Sequence, residues 1–126
     1  MDEFKKLKKF WKGKKVLITG HTGFKGSWMC IFLNMLDAKI IGYSLKPKKK
    51  SLFNKSHIKK FLKKNIYNDI QDFEALKKVI NNNQPEIIFH LASQAIVSES
   101  FKNPLRTIYT NIIGTTNLLE CLKNNN

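Results

Sequence analysis

Val16-Leu17-Ile18-Thr19-Gly20-His21-Thr22-Gly23-Phe24-Lys25-Gly26-Ser27-Trp28 runs from a short apolar, β-branched tetrapeptide into a turn carrying three glycines at intervals of three. An apolar run of this length, bounded by glycine, is the pattern of a strand buried on both faces of a parallel sheet. Beyond the turn the pattern changes to spacings of three and four, and Trp28, Ile31, Phe32 and Met35 mark what reads as the inward face of a helix over 24–36. Strand, glycine turn and helix in immediate succession form the start of a βαβ unit.

Working outward, residues 1–13 form a lysine-rich lead-in in which Phe10 and Trp11 are placed to cover an edge of the fold. After the first helix, Ile40-Ile41-Gly42-Tyr43 within 39–45 reads as a second strand, and Pro47 to Lys60 as a surface loop with at most one helical turn. A short third strand is expected within 61–67. Asp72 then stands as the N-cap of a helix to Asn82 with Phe73, Leu76, Val79 and Ile80 inward. Pro85 ends that helix, Ile87-Ile88-Phe89 within 86–91 gives a fourth strand, and Ala92-Ser93-Gln94 a polar loop. A last helix starts at Asn103-Pro104, cap then proline, and carries Leu105, Ile108, Ile112, Thr115, Leu119 and Leu122 before the asparagine tail. Strands alternating with helices predict an α/β fold: a Rossmann-type, doubly wound parallel sheet of about four strands with flanking helices, in the order 3-2-1-4. Residues 14–126 are read as the N-terminal part of a dinucleotide-binding domain.

In that context the glycines have separate tasks. Gly20 permits the tight turn out of the strand, Gly23 lets the backbone come close to a pyrophosphate, and Gly26 allows close packing of the helix. The pyrophosphate then meets the positive end of the helix. The acidic residue that usually holds the adenosine ribose about 20 positions further on is replaced here by Ser44. Ser44 can bond a ribose hydroxyl but carries no charge to repel a 2′-phosphate, so the residues leave NAD and NADP both open. Asp69 and Ile70 suit an adenine contact, the carboxylate accepting from the exocyclic amine, although a turn aspartate is the competing reading. His21 and His90 flank the same region, and neither has a second ligand at metal spacing, so no metal is expected.

The composition excludes several classes. A formal net charge of +14 raises nucleic acid or an anionic membrane as partners. Yet the charge is almost all lysine, Arg106 being the only arginine, and is spread over the surface rather than gathered on one reading face. Neither nucleic acid nor a membrane is therefore the expected partner. Cys30 and Cys121 lie apart inside helical patterns and read as buried, reduced thiols. With no apolar leader and no apolar run near the roughly 20 residues needed to cross a bilayer, a cytoplasmic protein is expected.

The glycine spacing, together with Gly42-Tyr43-Ser44-Leu45, Ser51-Leu52-Phe53, Asp69-Ile70, His90-Leu91-Ala92-Ser93-Gln94 and Asn111 through Gly114-Thr115, resembles the extended short-chain dehydrogenases. Gly20-His21-Thr22-Gly23-Phe24-Lys25-Gly26-Ser27-Trp28 is the most diagnostic piece, and within that family it is most similar to the nucleotide-sugar 4,6-dehydratases acting on CDP-glucose. The resemblance implies NAD as cofactor, held by Gly20, Thr22, Gly23, Phe24, Lys25, Gly26, Ser44, Asp69 and Ile70. Leu91, Ala92, Ser93 and Gln94 would line the nicotinamide-ribose side, with Asn111 supporting the site. Ser93 stands where alanine is commoner. The implied substrate is CDP-glucose, converted to a 4-keto-6-deoxy sugar by an enzyme expected to be homo-oligomeric at full length. Such chemistry needs a tyrosine base with a lysine four residues on. The residues four beyond Tyr43, Tyr67 and Tyr109 are Pro47, Gln71 and Ile113. The catalytic residues are thus expected outside residues 1–126.

Overall fold

The computed structural model describes residues 2–123, so the asparagine tail lies outside the described residues. Within them β1 (Lys15–Thr19), β2 (Lys39–Ser44), β3 (Lys64–Tyr67) and β4 (Ile87–His90) form one parallel sheet in the order β3-β2-β1-β4. This is the predicted doubly wound topology. The register places Thr19 between Tyr43 and His90, and Ser44 beside Tyr67, so the four strands end along one edge.

Helix α2 (Phe24–Met35) follows the glycine turn, α4 (Phe73–Asn83) follows β3, and Asp72 Oδ1 caps α4 by accepting from the Ala75 N–H at 2.9 Å. Two apolar layers cover the sheet. One joins Leu17, Ile41 and Tyr43 to Leu76, Ile80, Leu118 and Cys121. The other joins Val16, Ile18 and Ile40 to Cys30, Leu33, Phe53 and Ile58. Strand residues that alternate between two buried faces explain the continuous apolar runs of β1 and β2. Each fully buried aliphatic side chain contributes about 1.5–3 kcal/mol.

Several elements differ from the sequence expectation. The lead-in is a helix, α1 (Asp2–Trp11); Trp11 reaches the edge strand, its ring 6.0 Å from that of Phe89, whereas Phe10 stays exposed. The segment before β3 contains the one helical turn expected there, α3 (Leu52–Lys55), capped by the Ser51 hydroxyl, and beyond it an unexpected 3₁₀ turn at Ile58–Phe61. The loop after β4 contains α5 (Val97–Lys102). The last helix is composite: α6 (Pro104–Ile108), a π-helical turn at Tyr109–Ile113, and α7 (Gly114–Leu122). Asn103 precedes Pro104 as expected, but its side chain makes no cap bond; its carbonyl instead accepts from Thr107.

The two helix faces need correction. In α2 the buried residues are Gly26, Ser27, Cys30 and Leu33, while Trp28, Phe32 and Met35 are about half exposed. Along the composite last helix they are Gly114, Leu118 and Cys121, all in α7, while Leu105, Ile108, Ile112 and Leu119 face outward. Both helices carry apolar residues on two sides, so periodicity offered two stripes in each. In both, the stripe that packs inward is the one containing a glycine, because there another segment comes too close for a Cβ: the Gly20–His21 backbone at Gly26 and the Ile70 side chain at Gly114. Gly26, Cys30, Leu33 and Gly114, Leu118, Cys121 share the same four-then-three spacing. Both cysteines are buried thiols outside any disulfide, as expected, and burial pushes the Cys30 thiol pKa up to about 12.

Candidate functional site: a groove at the carboxyl edge of the sheet

All the sequence-predicted site residues except Asn111, which lies on the last helix, come from the carboxyl ends of the strands or the segments that leave them. Gly20 follows β1, Ser44 ends β2, Asp69 follows β3 and Leu91 follows β4. The chain reverses direction of winding between β1 and β4, and the crevice at such a point is where doubly wound sheets take ligands.

The turn after β1 is constrained by steric fit. Gly20 has φ +76°, and a Cβ there would lie 2.7 Å from Leu91 and Ala92 backbone atoms. A Cβ on Gly26 would lie 2.2 Å from the Gly20 carbonyl oxygen and 2.7 Å from His21 Cα. Gly26 therefore gives α2 its close packing by seating it on the turn itself, not on the sheet. Gly23 differs in degree: its φ is −75° and a Cβ there would meet only the Gly20 oxygen, at 3.3 Å, a tight contact that a shift of a few tenths of an ångström relieves, so the fold's demand for glycine there is slight. Gly23 is also the N-cap of α2 and offers no side-chain cap, so the first-turn N–H groups of Phe24, Lys25 and Gly26 have no side-chain acceptor at the cap. The helix dipole adds partial positive charge at that point.

Thr22 joins the turn to the end of β2. Its hydroxyl donates to the Leu45 carbonyl at 2.9 Å, and its oxygen lies 2.9 Å from Ser44 Oγ. With the Thr22 proton used on Leu45, the Ser44 hydroxyl donates to Thr22, which leaves Ser44 an acceptor toward the groove. His21 is turned inward: it is fully buried, its Nε2 lies 2.6 Å from Asn65 Oδ1, and its ring stands edge-on to Phe53. Burial lowers its pKa, against the raising effect of the Asn65 bond. A Cβ on Gly42 would lie 2.3 Å from the His21 ring, so Gly42 is the space the ring occupies. Among the described residues no group of three or more His, Cys, Asp or Glu could hold a metal ion.

The segment after β3 is held from three sides. Asp69 Oδ1 accepts from the Gln71 N–H at 2.9 Å, the Tyr43 hydroxyl donates to the Asp69 carbonyl at 2.8 Å, and Asn117 Nδ2 donates to the Ile70 and Gln71 carbonyls. Burial, with the nearby Asp72 and Asp69 charges, pushes the Tyr43 pKa up, so this phenol is an anchor rather than a base. Ile70 is 5% exposed and packs into Gly114, where a Cβ would meet it at 2.5 Å. Its side chain is thus mostly committed to the core.

The loop after β4 is clamped at both ends. Leu91 and Ala92 N–H groups donate to Thr19 Oγ1 at 3.1 and 3.2 Å. Asn111, on the π-helical turn, accepts from the Gln94 N–H at 2.7 Å and donates to its carbonyl at 3.0 Å. The Gln94 side chain folds back on Ile96 and Thr107, and Ser93 remains exposed. The sequence reading missed Thr19, Tyr43, Thr107 and Asn117, which make no predicted ligand contact but hold the segments that do. Their only sequence signal is position, at strand ends or on the inner side of the last helix. Two hollows lie elsewhere: about 440 Å³ lined by Phe53, His57, Lys60 and Tyr67, and about 450 Å³ lined by Lys15, Lys64 and Asn83.

Comparison with known proteins agrees with this geometry. The family model of GDP-mannose 4,6 dehydratase matches residues 17–126. The chain is 44% identical over 117 residues to CDP-glucose 4,6-dehydratase of Salmonella typhimurium, covering 92% of this chain and 32% of that protein. It is 34% identical to UDP-glucose 4-epimerase of Mycoplasma genitalium, covering 87% of this chain and 32% of that one. Among solved structures, UDP-glucose 4-epimerase from Brucella ovis in complex with NAD superposes with a TM-score of 0.75 at 23% identity, covering 88% and 32% of the two chains. The chain spans about a third of the length of each.

Proposed function

We propose, because this chain belongs to the GDP-mannose 4,6 dehydratase family, that it forms the NAD-binding part of a nucleotide-sugar 4,6-dehydratase whose substrate is CDP-glucose. The observation that carries this reading is the glycine turn: Gly20 and Gly26 are required by contacts of 2.2–2.7 Å within the fold, whereas Gly23, at the uncapped start of α2, meets only one contact, at 3.3 Å. A glycine that the fold requires only weakly, at a helix N-terminus with no side-chain cap, fits a diphosphate brought against the backbone.

The residues divide accordingly. The first-turn N–H groups of Phe24, Lys25 and Gly26 receive the diphosphate, Ser44 accepts from a ribose hydroxyl, and the Asp69 segment borders the adenine. The loop from Leu91 to Gln94, set by Asn111, borders the nicotinamide ribose. NAD, when bound, takes up and returns a hydride. This chain's own residues bind and orient the nucleotide; proton transfer belongs to residues outside 1–126, since no Tyr-x-x-x-Lys occurs here. CDP-glucose as substrate is supported by the identity to the Salmonella enzyme. The remaining two thirds of such a protein would supply the sugar site.

Calorimetric titration of the chain with NAD and NADP tests the cofactor half. Saturable NAD binding that is lost in Gly23→Glu, with Tm retained, is expected. Equal heats for wild type and Gly23→Glu would overturn it. For the substrate half, the full-length protein incubated with NAD and CDP-glucose should yield a sugar nucleotide lighter by one water, and no such product from other nucleoside diphosphate glucoses.

A further inference from the structure

His90 closes β4, outside the segments assigned to the nucleotide, yet it touches both clamps of the loop that follows it. Its Nδ1 lies 2.7 Å from Thr19 Oγ1 and its Nε2 lies 2.9 Å from Thr115 Oγ1. The surrounding bonds fix its tautomer. Thr19 Oγ1 already accepts from the Ala92 N–H and from the Leu91 N–H, which it shares with the Thr19 carbonyl at 3.0 Å, so both of its lone pairs are engaged. Its own proton therefore goes to His90 Nδ1. The ring proton must sit on Nε2 and point at Thr115 Oγ1, whose own proton goes to the Asn111 carbonyl at 2.8 Å. Donation runs in one direction, from Thr19 through His90 and Thr115 to the backbone of Asn111, the residue whose side chain grips Gln94. A second ring proton would put a third donor on Thr19 and has no acceptor, in agreement with the lowering of the His90 pKa by burial.

We propose that His90 is a positioning residue: a neutral, Nε2-protonated imidazole that couples the Thr19 clamp to the Asn111 clamp and so holds the Leu91–Gln94 loop in its binding conformation. The functional half of this inference rests on the nucleotide-binding reading above; the structural half does not. Because Asn111 sits on a π-helical turn, where the backbone is not held by the regular helical ladder, the bond from Thr115 sets where its side chain points. His90 links the sheet to that bond.

Amide hydrogen exchange at Gln94 reads the coupling without any nucleotide. His90→Gln places an amide nitrogen near the Nε2 position and keeps the donor to Thr115. His90→Asn keeps a group facing Thr19 but loses the reach to Thr115. Exchange at Gln94 is expected to stay near wild type in His90→Gln and to rise about tenfold in His90→Asn, the scale of one lost buried hydrogen bond. Amides of Leu17 and Ile41 should be unchanged in both. Thr115→Val, which alters no sheet contact, should reproduce the His90→Asn result and serves if either histidine variant fails to fold. Equal protection in His90→Gln and His90→Asn, or an unaltered Gln94 in Thr115→Val, overturns the proposal. NAD affinity should follow the same order, falling about tenfold only where Gln94 loses protection. If the wild-type chain binds no NAD, the nucleotide reading fails while the exchange result still decides the coupling.

Discussion

Adding one methyl group at Gly26 and one at Gly23 separates a glycine required by the fold from one required by a ligand. At Gly26 the new Cβ would stand 2.2 Å from the Gly20 oxygen, 2.7 Å from His21 Cα and 2.8 Å from the Gly20 carbonyl carbon. All three neighbours are backbone, so no side chain can swing away, and α2 or the turn must retreat by more than 1 Å. Overpacking of this kind costs about 1–3 kcal/mol, and the absence of a flexible neighbour places Gly26→Ala near about 3 kcal/mol. For a domain of this length that is a fall in Tm of about 10 °C. At Gly23 the nearest atom is 3.3 Å away and the backbone is extended, so Gly23→Ala should cost about 0.5–1 kcal/mol, the ordinary loss on placing alanine at an N-cap. The assay is paired urea unfolding and NAD titration. Gly26→Ala should lose stability and affinity together, whereas Gly23→Ala should keep most of its stability and lose at least tenfold in affinity. If Gly26→Ala unfolds within 1 kcal/mol of wild type, the turn has slack that the steric argument denies. If Gly23→Ala binds NAD as wild type does, the diphosphate is not where this account puts it.

Other consequences can be checked on the same protein. Gly42→Ala should destabilise by about 2 kcal/mol because its methyl enters the His21 ring, and most of that loss should vanish in the His21→Ala background; additive effects in a double-mutant cycle would show the contact to be unimportant. Both His21 and His90 have pKa values lowered in the fold by burial, so below the ordinary histidine value of about 6.5 the unfolded chain binds more protons and stability falls. The urea midpoint should accordingly drop between pH 7.5 and pH 5.5 and be flat above; an unchanged midpoint across that window contradicts the neutral, buried assignment. Cys30, with its pKa near 12, should resist iodoacetamide in the native protein at pH 8 and react fully in urea; rapid native labelling would show the second apolar layer to be open.

The parts legible in the sequence are those where composition and position agree. The buried β1 run, the three glycines and the aspartate cap of α4 each had one physical solution, and the order of strands followed from right-handed crossovers. The faces of α2 and the last helix were misread because both are apolar on two sides, and hydrophobic spacing cannot rank two stripes. The glycine within one stripe could have ranked them, since Gly26 and Gly114 are where backbone meets another segment. The π-helical turn at Tyr109–Ile113 left no composition signal, and with it went the meaning of Asn111, which grips Gln94 only because the turn directs it there. The anchors Thr19, Tyr43 and Asn117 were likewise invisible, because each acts on a segment brought near only by the fold.

The most direct test of the central claim is a nitrogen–proton correlation spectrum of the chain recorded with increasing NAD. The account predicts progressive shifts at the Gly23, Phe24, Lys25 and Gly26 amides, accompanied by Ser44 and by Ala92 to Gln94, with the amides of α4 unmoved. Shifts confined to the lysine-lined hollow around His57 and Lys60, or no shifts at millimolar NAD, would contradict it.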